Sequence, residues 1–287
     1  MNDILIIGAG PAGISAAIYA KRAGVNVTVL YYGESNVEKS KIIENYYGFE
    51  NGIDGKELFN NGLKQAQNLG IEVKKEEVLD IRKDNEIFYV ETEQNKYESK
   101  AVIIATGNKK LRPDIENITK FEGKGVSYCA VCDGFFFKNK DVVVIGNGKY
   151  ATKEAEDLKN IANSVTILTN GEEVVDTLEY KIDHKKIKSI LGDNKVNAVE
   201  FKDGETLNCD GVFIAIGEAG STDFARKLGV MLDGDSIIVD DNMKTNIDGL
   251  YACGNATGGL QQISKAVYEG AIAGIESAKY IKNYKGN

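Results

Sequence analysis

One pattern occurs twice in this sequence and restricts the chain to few folds. Ile4-Leu-Ile-Ile-Gly-Ala-Gly-Pro-Ala-Gly13 and Val142-Val-Val-Ile-Gly-Asn-Gly-Lys-Tyr-Ala151 each run a short apolar, β-branched segment into a glycine turn. A second strand is expected after each copy, at Val25 to Leu30 and at Ser164 to Leu168. A further apolar strand ends in a small-residue turn at Val102 to Gly107 and again at Val212 to Gly217. Near-continuous apolar strands joined through helices belong to parallel sheets covered on both faces.

The spacing therefore predicts an α/β chain of two nucleotide-binding, Rossmann-like domains, the second inserted into the first. Lys56 to Leu69 carries Phe59, Leu63 and Ala66 at helical spacing, as a covering helix requires. Beyond the second copy the chain passes Ile237-Ile-Val239 and Thr245 to a third glycine site, Leu250-Tyr-Ala-Cys-Gly254, and then a helical stretch from Gln262 to Ile281. Such a tail has no place in a second compact unit of about 130 residues, so it is expected to return to the first. The expected domains are 1–113 with 246–287, and 114–245.

Charge and cysteine usage narrow the function. With 43 acidic against 35 basic residues the formal charge is -8, and the basic footprint of a nucleic-acid binder is missing. The apolar run from Ile4 to Ala20 is broken by Gly8, Gly10, Pro11 and Gly13 and follows no basic segment, which argues against a membrane span or secretion signal. Cysteines at 129, 132, 209 and 253 include one close pair, the pattern of a metal or redox motif in a reducing compartment. A cytoplasmic protein without nucleic-acid or membrane partners is expected.

Gly8, Gly10 and Gly13 form GxGxxG where a strand enters a helix. The first glycine permits the tight turn, the second lets a pyrophosphate approach the backbone, and the third admits close helix packing. Amides and the positive end of the helix dipole then face the phosphates. Cys129-Ala-Val-Cys132 runs into Asp133-Gly134. Zinc would need further ligands, and Cys209, Cys253 and the single His184 lack a paired spacing. A redox disulfide fits better, since two cysteines so spaced close a small ring and a neighbouring carboxyl can pass a proton to the leaving thiolate. Two buried small hydrophobes are the plain alternative.

Ala101-Val-Ile-Ile-Ala-Thr-Gly107, the block from Gly125 to Phe137 around the cysteines, and the second glycine turn together resemble low-molecular-weight thioredoxin reductase. The likeness extends through Ile43-Glu-Asn-Tyr-Tyr-Gly48 and Tyr251-Ala-Cys-Gly-Asn255 with Gln262, nearly the whole chain. It implies FAD in the first domain, held by Gly8, Gly10, Pro11, Ala12, Gly13, Asn36, Asn45, Thr106, Gly107, Gly254, Asn255, Gln262 and Ile263. It also implies a homodimer in which Cys132 faces the flavin, Cys129 attacks thioredoxin, and Asp133 donates and accepts the proton. No metal is implied.

The departures are specific. NADPH-using relatives carry GxGxxA in the second domain and, past its next strand, a His-Arg-Arg and a further arginine that grip the 2'-phosphate. Here Gly146, Gly148 and Ala151 remain, but Thr169-Asn-Gly-Glu-Glu-Val-Val175 follows the strand with two carboxylates and no cation. Carboxylates repel a dianionic phosphate that a bidentate arginine would hold. Lys149 and Tyr150 replace the usual small polar pair, and Tyr150 is expected to crowd the pyrophosphate path. Thr169 stands where an NADH-binding acid would sit.

These features resemble the ferredoxin-dependent flavin thioredoxin reductases, which keep FAD and the CxxC without nicotinamide binding. The implied function is electron transfer from reduced ferredoxin through FAD and the dithiol to thioredoxin. Alternatives are an NAD(P)H-dependent thioredoxin reductase with an altered nucleotide site, an oxidase of small dithiols, and a non-catalytic flavin sensor. The FAD site departs too, with Asn255 for an aspartate, Gln261-Gln262 for Arg-Gln, and Glu34-Ser-Asn-Val37 for Gly-Gly-Gln-Leu. Asparagine keeps hydrogen-bonding capacity without the charge. His184 reads as solvated, Cys209 and Cys253 as core. Lysines at 109, 110, 138 and 140 are solvated or meet an acidic ferredoxin. Ala266, Gly270, Ala271, Ala273 and Gly274 either let backbones approach or pack an ordinary helix.

Overall fold

The computed structural model describes residues 2–107, 113–174 and 180–285. The chain divides into two compact units, residues 1–109 with 220–287, and residues 110–219. The first unit opens with β1 (Asn2–Ile7), α1 (Pro11–Arg22), β2 (Val27–Tyr31), α2 (Gly55–Asn68), β3 (Glu72–Lys75), β4 (Val78–Asp84), β5 (Ile87–Thr92) and β6 (Lys96–Ile104). The second holds α3 (Ile118–Phe121), β7 (Val126–Ser127), α4 (Ala130–Asp133), β8 (Asp141–Ile145), α5 (Lys149–Lys159), β9 (Ser164–Leu168), β10 (Lys181–Asp183), β11 (Ile187–Gly192), β12 (Val196–Phe201), β13 (Thr206–Asn208) and β14 (Gly211–Ile214). The chain then returns with α6 (Ser221–Lys227), β15 (Leu232–Asp233), β16 (Ser236–Ile237), β17 (Leu250–Ala252) and α7 (Ile263–Lys285).

The repeat in the sequence is a repeat in topology. In the first unit β1 lies between β2 and β6, all parallel, with β3 outside β2. In the second β8 lies between β9 and β14, again parallel, with β10 outside β9. Ile4, Leu5 and Ile6, like Val144 and Ile145, are fully buried, as strands covered on both faces demand. Each unit also carries antiparallel strands that the apolar pattern does not announce, β4 and β5 beside β6 in the first and β11–β12–β13 in the second. Burial alternates along β5, so this part of the sheet is half-solvated.

Asp54 caps α2, its carboxylate accepting from the Lys56 and Glu57 amides at 2.9 and 3.0 Å, while Phe59 and Ala66 turn into the core. The tail does return to the first unit, but at 220 rather than at the expected 246. The reason is α6: Lys227 reaches back to Asp80 on β4, Nζ to Oδ1 3.1 Å, and Ser221 Oγ donates to the Gly107 carbonyl. No described helix is long and apolar enough to cross a membrane.

The small residues of α7 are there for close approach. A Cβ on Gly270 would lie 2.2 Å from the Ala12 carbonyl oxygen, and one on Gly274 2.3 Å from that of Ala16, both on α1. Gly274→Ala should therefore destabilise the protein by about 1–3 kcal/mol in urea unfolding, despite the helix propensity that alanine adds. A gain in stability would show that the two helices part without cost.

Candidate functional site

In the first unit the chemistry is prepared by the turn after β1. Gly8 has φ +110°, and a Cβ there would lie 2.3 Å from the Ala105 carbonyl oxygen. A Cβ on Gly13 would lie 1.9 Å from the Gly8 oxygen, so neither position accepts a side chain. Gly10 differs: its Cβ would meet only Ser35 Oγ, at 3.4 Å, which leaves the start of α1 approachable. No side chain caps α1, Pro11 occupies its first turn, and no acid competes there. The first-turn amides and helix dipole are thus available to an anion.

Other expected residues gather on this unit's elements. Thr106 Oγ1 is buried without a hydrogen-bond partner among the described residues, a deficit that a bound polar group would remove. The Cβ position of its neighbour Gly107 opens on free space. Asn45 Nδ2 donates to Gln262 Oε1 at 2.9 Å across 217 residues of sequence. Ile263 starts α7, and Asn36 starts a short 3-10 turn capped by Ser35 and Glu38. Gly254 sits at φ +74° with its Cβ position 2.8 Å from the Ala12 Cβ, which brings the Gly254-Asn255 turn against α1. An open helix start, an orphan hydroxyl and side-chain-free turns fit a dinucleotide such as FAD.

In the second unit Cys129 and Cys132 are joined by a disulfide, S–S 2.04 Å, with Cα atoms 5.3 Å apart. Cys129 caps the short α4, its Sγ accepting the Cys132 amide at 3.1 Å. Cys129 is 1% exposed, whereas Cys132 faces outward. Asp133 is tied to this turn through Ser127, whose Oγ donates to Asp133 Oδ2 at 2.7 Å and accepts the Cys129 amide at 3.1 Å. One hydroxyl thus links the acid to the first cysteine.

Helix α5 supplies two groups to the redox turn, of which sequence reasoning missed Glu154 and gave Tyr150 another place. Glu154, buried, accepts the Ala130 amide at 2.6 Å, and Tyr150 one turn earlier donates to the Tyr128 carbonyl at 3.4 Å. The two contacts bracket Cys129 along the chain. Tyr150 is 2% exposed, so the expectation that its ring crowds the glycine turn is corrected: the ring packs inward, because a phenol can bury its body while its hydroxyl finds a carbonyl. Their i, i+4 spacing was the available signal, but the sequence does not say which face of α5 meets the cysteines.

The end of β9 also differs from expectation. Asn170 and Gly171 take positive φ, +56° and +89°, and Asn170 Oδ1 accepts the Ile187 amide at 2.7 Å. Thr169 Oγ1 lies 3.1 Å from His184 Nδ1, and a Cβ on Gly171 would lie 2.9 Å from both Cγ and Cε of Lys186. The turn therefore does have a cation beside it, Lys186 from the loop after β10, although the segment itself has none. His184 is exposed as read. Val175, Lys109 and Lys110 lie outside the described residues. Cys209 and Cys253 are core: burial pushes the Cys209 thiol up to about 12 and raises that of Cys253 as well, so neither is a nucleophile at neutral pH. No metal-holding cluster occurs among the described residues.

The chain as a whole is similar to known proteins. Residues 2–270 match the family model described as pyridine nucleotide-disulphide oxidoreductase. A thioredoxin reductase of Treponema pallidum (strain Nichols) is 35% identical, over 97% of this chain and 97% of its own. Among solved structures, the atypical thioredoxin reductase TRi from Desulfovibrio vulgaris Hildenborough is 39% identical with a TM-score of 0.95, covering 99% of both chains. A ferredoxin-flavin thioredoxin reductase from Clostridium acetobutylicum is 34% identical with a TM-score of 0.75, covering 99% of this chain and 98% of that one. The chain belongs to the pyridine nucleotide-disulphide oxidoreductases and, within them, to the thioredoxin-reductase-like flavoproteins. It is an oxidoreductase with its redox disulfide at Cys129–Cys132, and membership implies an FAD-binding enzyme.

Glu154→Ala should cost about 1–3 kcal/mol of stability by leaving the buried Ala130 amide without an acceptor, whereas Glu154→Gln keeps an acceptor oxygen and should cost less. Thermal unfolding of the oxidised protein tells them apart, and equal losses would remove Glu154 from this role.

Proposed function

We propose that this protein is a ferredoxin-dependent flavin thioredoxin reductase, passing electrons from reduced ferredoxin through FAD and the Cys129–Cys132 pair to thioredoxin. The end of β9 carries the reading. Where NADPH-using relatives set arginines, Thr169, Asn170 and Gly171 form a turn whose polar atoms serve the fold, followed by exposed Glu172 and Glu173. A single lysine beside Gly171 offers a point charge, not the bidentate grip that holds a 2'-phosphate. The likeness to the Clostridium acetobutylicum protein supports the same donor.

Gly8, Gly10, Pro11, Ala12 and Gly13 would hold the pyrophosphate, with Thr106, Gly107, Asn36, Asn45, Gly254, Asn255, Gln262 and Ile263 around the rest of FAD. When bound, FAD converts the one-electron supply of ferredoxin into the electron pair that a disulfide needs. Two reduced ferredoxins and two protons open one Cys129–Cys132 bond. Cys132, the exposed sulfur, takes the flavin side. Cys129 gives its proton to Asp133 and attacks the thioredoxin disulfide, forming a mixed disulfide and releasing one thiolate, which takes that proton back from Asp133. Attack by Cys132 on Cys129 restores the ring and frees the thioredoxin dithiol. Because Cys129 is covered in this conformation, the attack requires its exposure. Exposed Val131, Phe135 and Phe136 beside the disulfide offer an apolar seat for a protein substrate. Exposed Tyr47, Leu260 and Tyr268 on the first unit support a homodimer. Two free buried thiols, Cys209 and Cys253, suit a reducing cytoplasm.

NAD(P)H as donor is the second reading, favoured by the approachable Gly148, whose Cβ would find only the Gly217 oxygen at 3.8 Å, and by Lys186. Anaerobic titration separates the two. Millimolar NADPH or NADH should leave the flavin absorbance unchanged while reduced ferredoxin bleaches it, faster at low salt. Rapid bleaching by micromolar NADPH would replace the ferredoxin reading with the second, and failure of both donors would leave a dithiol oxidase or a sensor.

Asp133→Asn should retain FAD and slow thioredoxin reduction by about 10²- to 10⁴-fold, the range of general acid–base assistance. A loss below about threefold would assign the proton to another group.

A further inference from the structure

We infer that Lys265 and Glu269 of α7 are a positioning pair for the cofactor, acting through the turn from Gly254 to Gly258. The inference rests on the FAD reading above. The two side chains form an i, i+4 ion pair, Nζ to Oε2 2.9 Å, and are only 16% and 12% exposed. The lysine precedes the glutamate, the weaker order for stabilising a helix, so support of α7 does not account for them. Their polar atoms go instead into the turn. Lys265 Nζ donates to the Gly254 carbonyl at 2.8 Å, the Gly258 carbonyl at 2.6 Å and Thr257 Oγ1 at 2.9 Å. Glu269 Oε2 accepts the Gly254 amide at 2.8 Å and lies 2.9 Å from Thr257 Oγ1.

Both backbone groups of Gly254 are therefore held by one pair of opposite charges. Gly254 and Gly258 have φ +74° and +72°, a backbone that other residues rarely adopt, and within the turn Thr257 Oγ1 also meets the Gly254 carbonyl at 2.8 Å. The turn presents Asn255 and leans on Ala12, the residue after Pro11 at the start of α1. Any shift of the turn would thus change Asn255 and the phosphate-facing amides together. Burying two charges is costly unless their geometry is fully satisfied, and such pairs are best kept where they set a register. Here the register is that of Asn255 against α1.

The test follows flavin release from the purified holoprotein by fluorescence on serial dilution, together with the bound-flavin absorption spectrum and the thermal midpoint. Lys265→Met and Glu269→Leu should weaken FAD binding by about tenfold or more and alter the flavin spectrum, consistent with loss of several charge-assisted hydrogen bonds. Glu269→Gln, which keeps an oxygen for the Gly254 amide and Thr257, should recover most of that affinity. Thr257→Val, a milder change, should weaken binding by a few fold and keeps the inference testable where the first two variants fold poorly. Lower thermal midpoints with unchanged FAD affinity and spectrum would reduce the pair to a fold support and overturn the inference. Equal affinity in all four variants would do the same. A wild-type protein purified without flavin that takes up none would overturn the FAD reading itself.

Discussion

The structure depends on one steric fact: a backbone carbonyl presses where a side chain would be. A Cβ on Gly8 would sit 2.3 Å from the Ala105 oxygen, and a Cβ on Gly146 would sit 2.0 Å from that of Ala215. Each contact locks the turn after a central strand against the end of its parallel neighbour. Each also directs the following helix so that its amides face outward. The same solution at equivalent places in both units is the physical content of the sequence repeat. It accounts for Gly146 in the second unit without reference to any ligand.

The second turn also does work that does not concern nucleotides. Helix α5 begins at Lys149 and turns Tyr150 and Glu154 toward the residues flanking Cys129. A helix required for the fold thus also braces the redox turn. The Ala130 amide meets one oxygen of the buried Glu154 carboxylate, which offsets part of the cost of burying it. On the other side Ser127 ties Asp133 to the Cys129 amide. The dithiol is held by hydrogen bonds from separate segments, which leaves Cys132 as the outward sulfur.

In the first unit, close packing and polar bracing act together. Glycines at 270 and 274 let α7 lie on α1, and the same helix sends Lys265 and Glu269 into the turn that carries Asn255. The unit therefore sets the start of α1 and the Gly254 turn from a single helix.

The parallel sheets, the doubled glycine turn, the CxxC with its neighbouring acid and the family were legible in the chain, because each rests on a local pattern: strand periodicity, a turn that only glycine fits, two cysteines three apart. The antiparallel strands β4–β5 and β11–β13 were not legible, since half-solvated strands alternate weakly and resemble loops. Nor was the return at 220, which depends on Lys227 meeting Asp80 across the fold. Packing set the inward turn of Tyr150, the approach of His184 and Lys186 to the end of β9, and the bonds of Glu154, Lys265 and Glu269 to turns outside their own helices. Periodicity tells a residue's face but not its partner, and a hydrogen bond between distant segments exists only once the packing of apolar surfaces has brought them together.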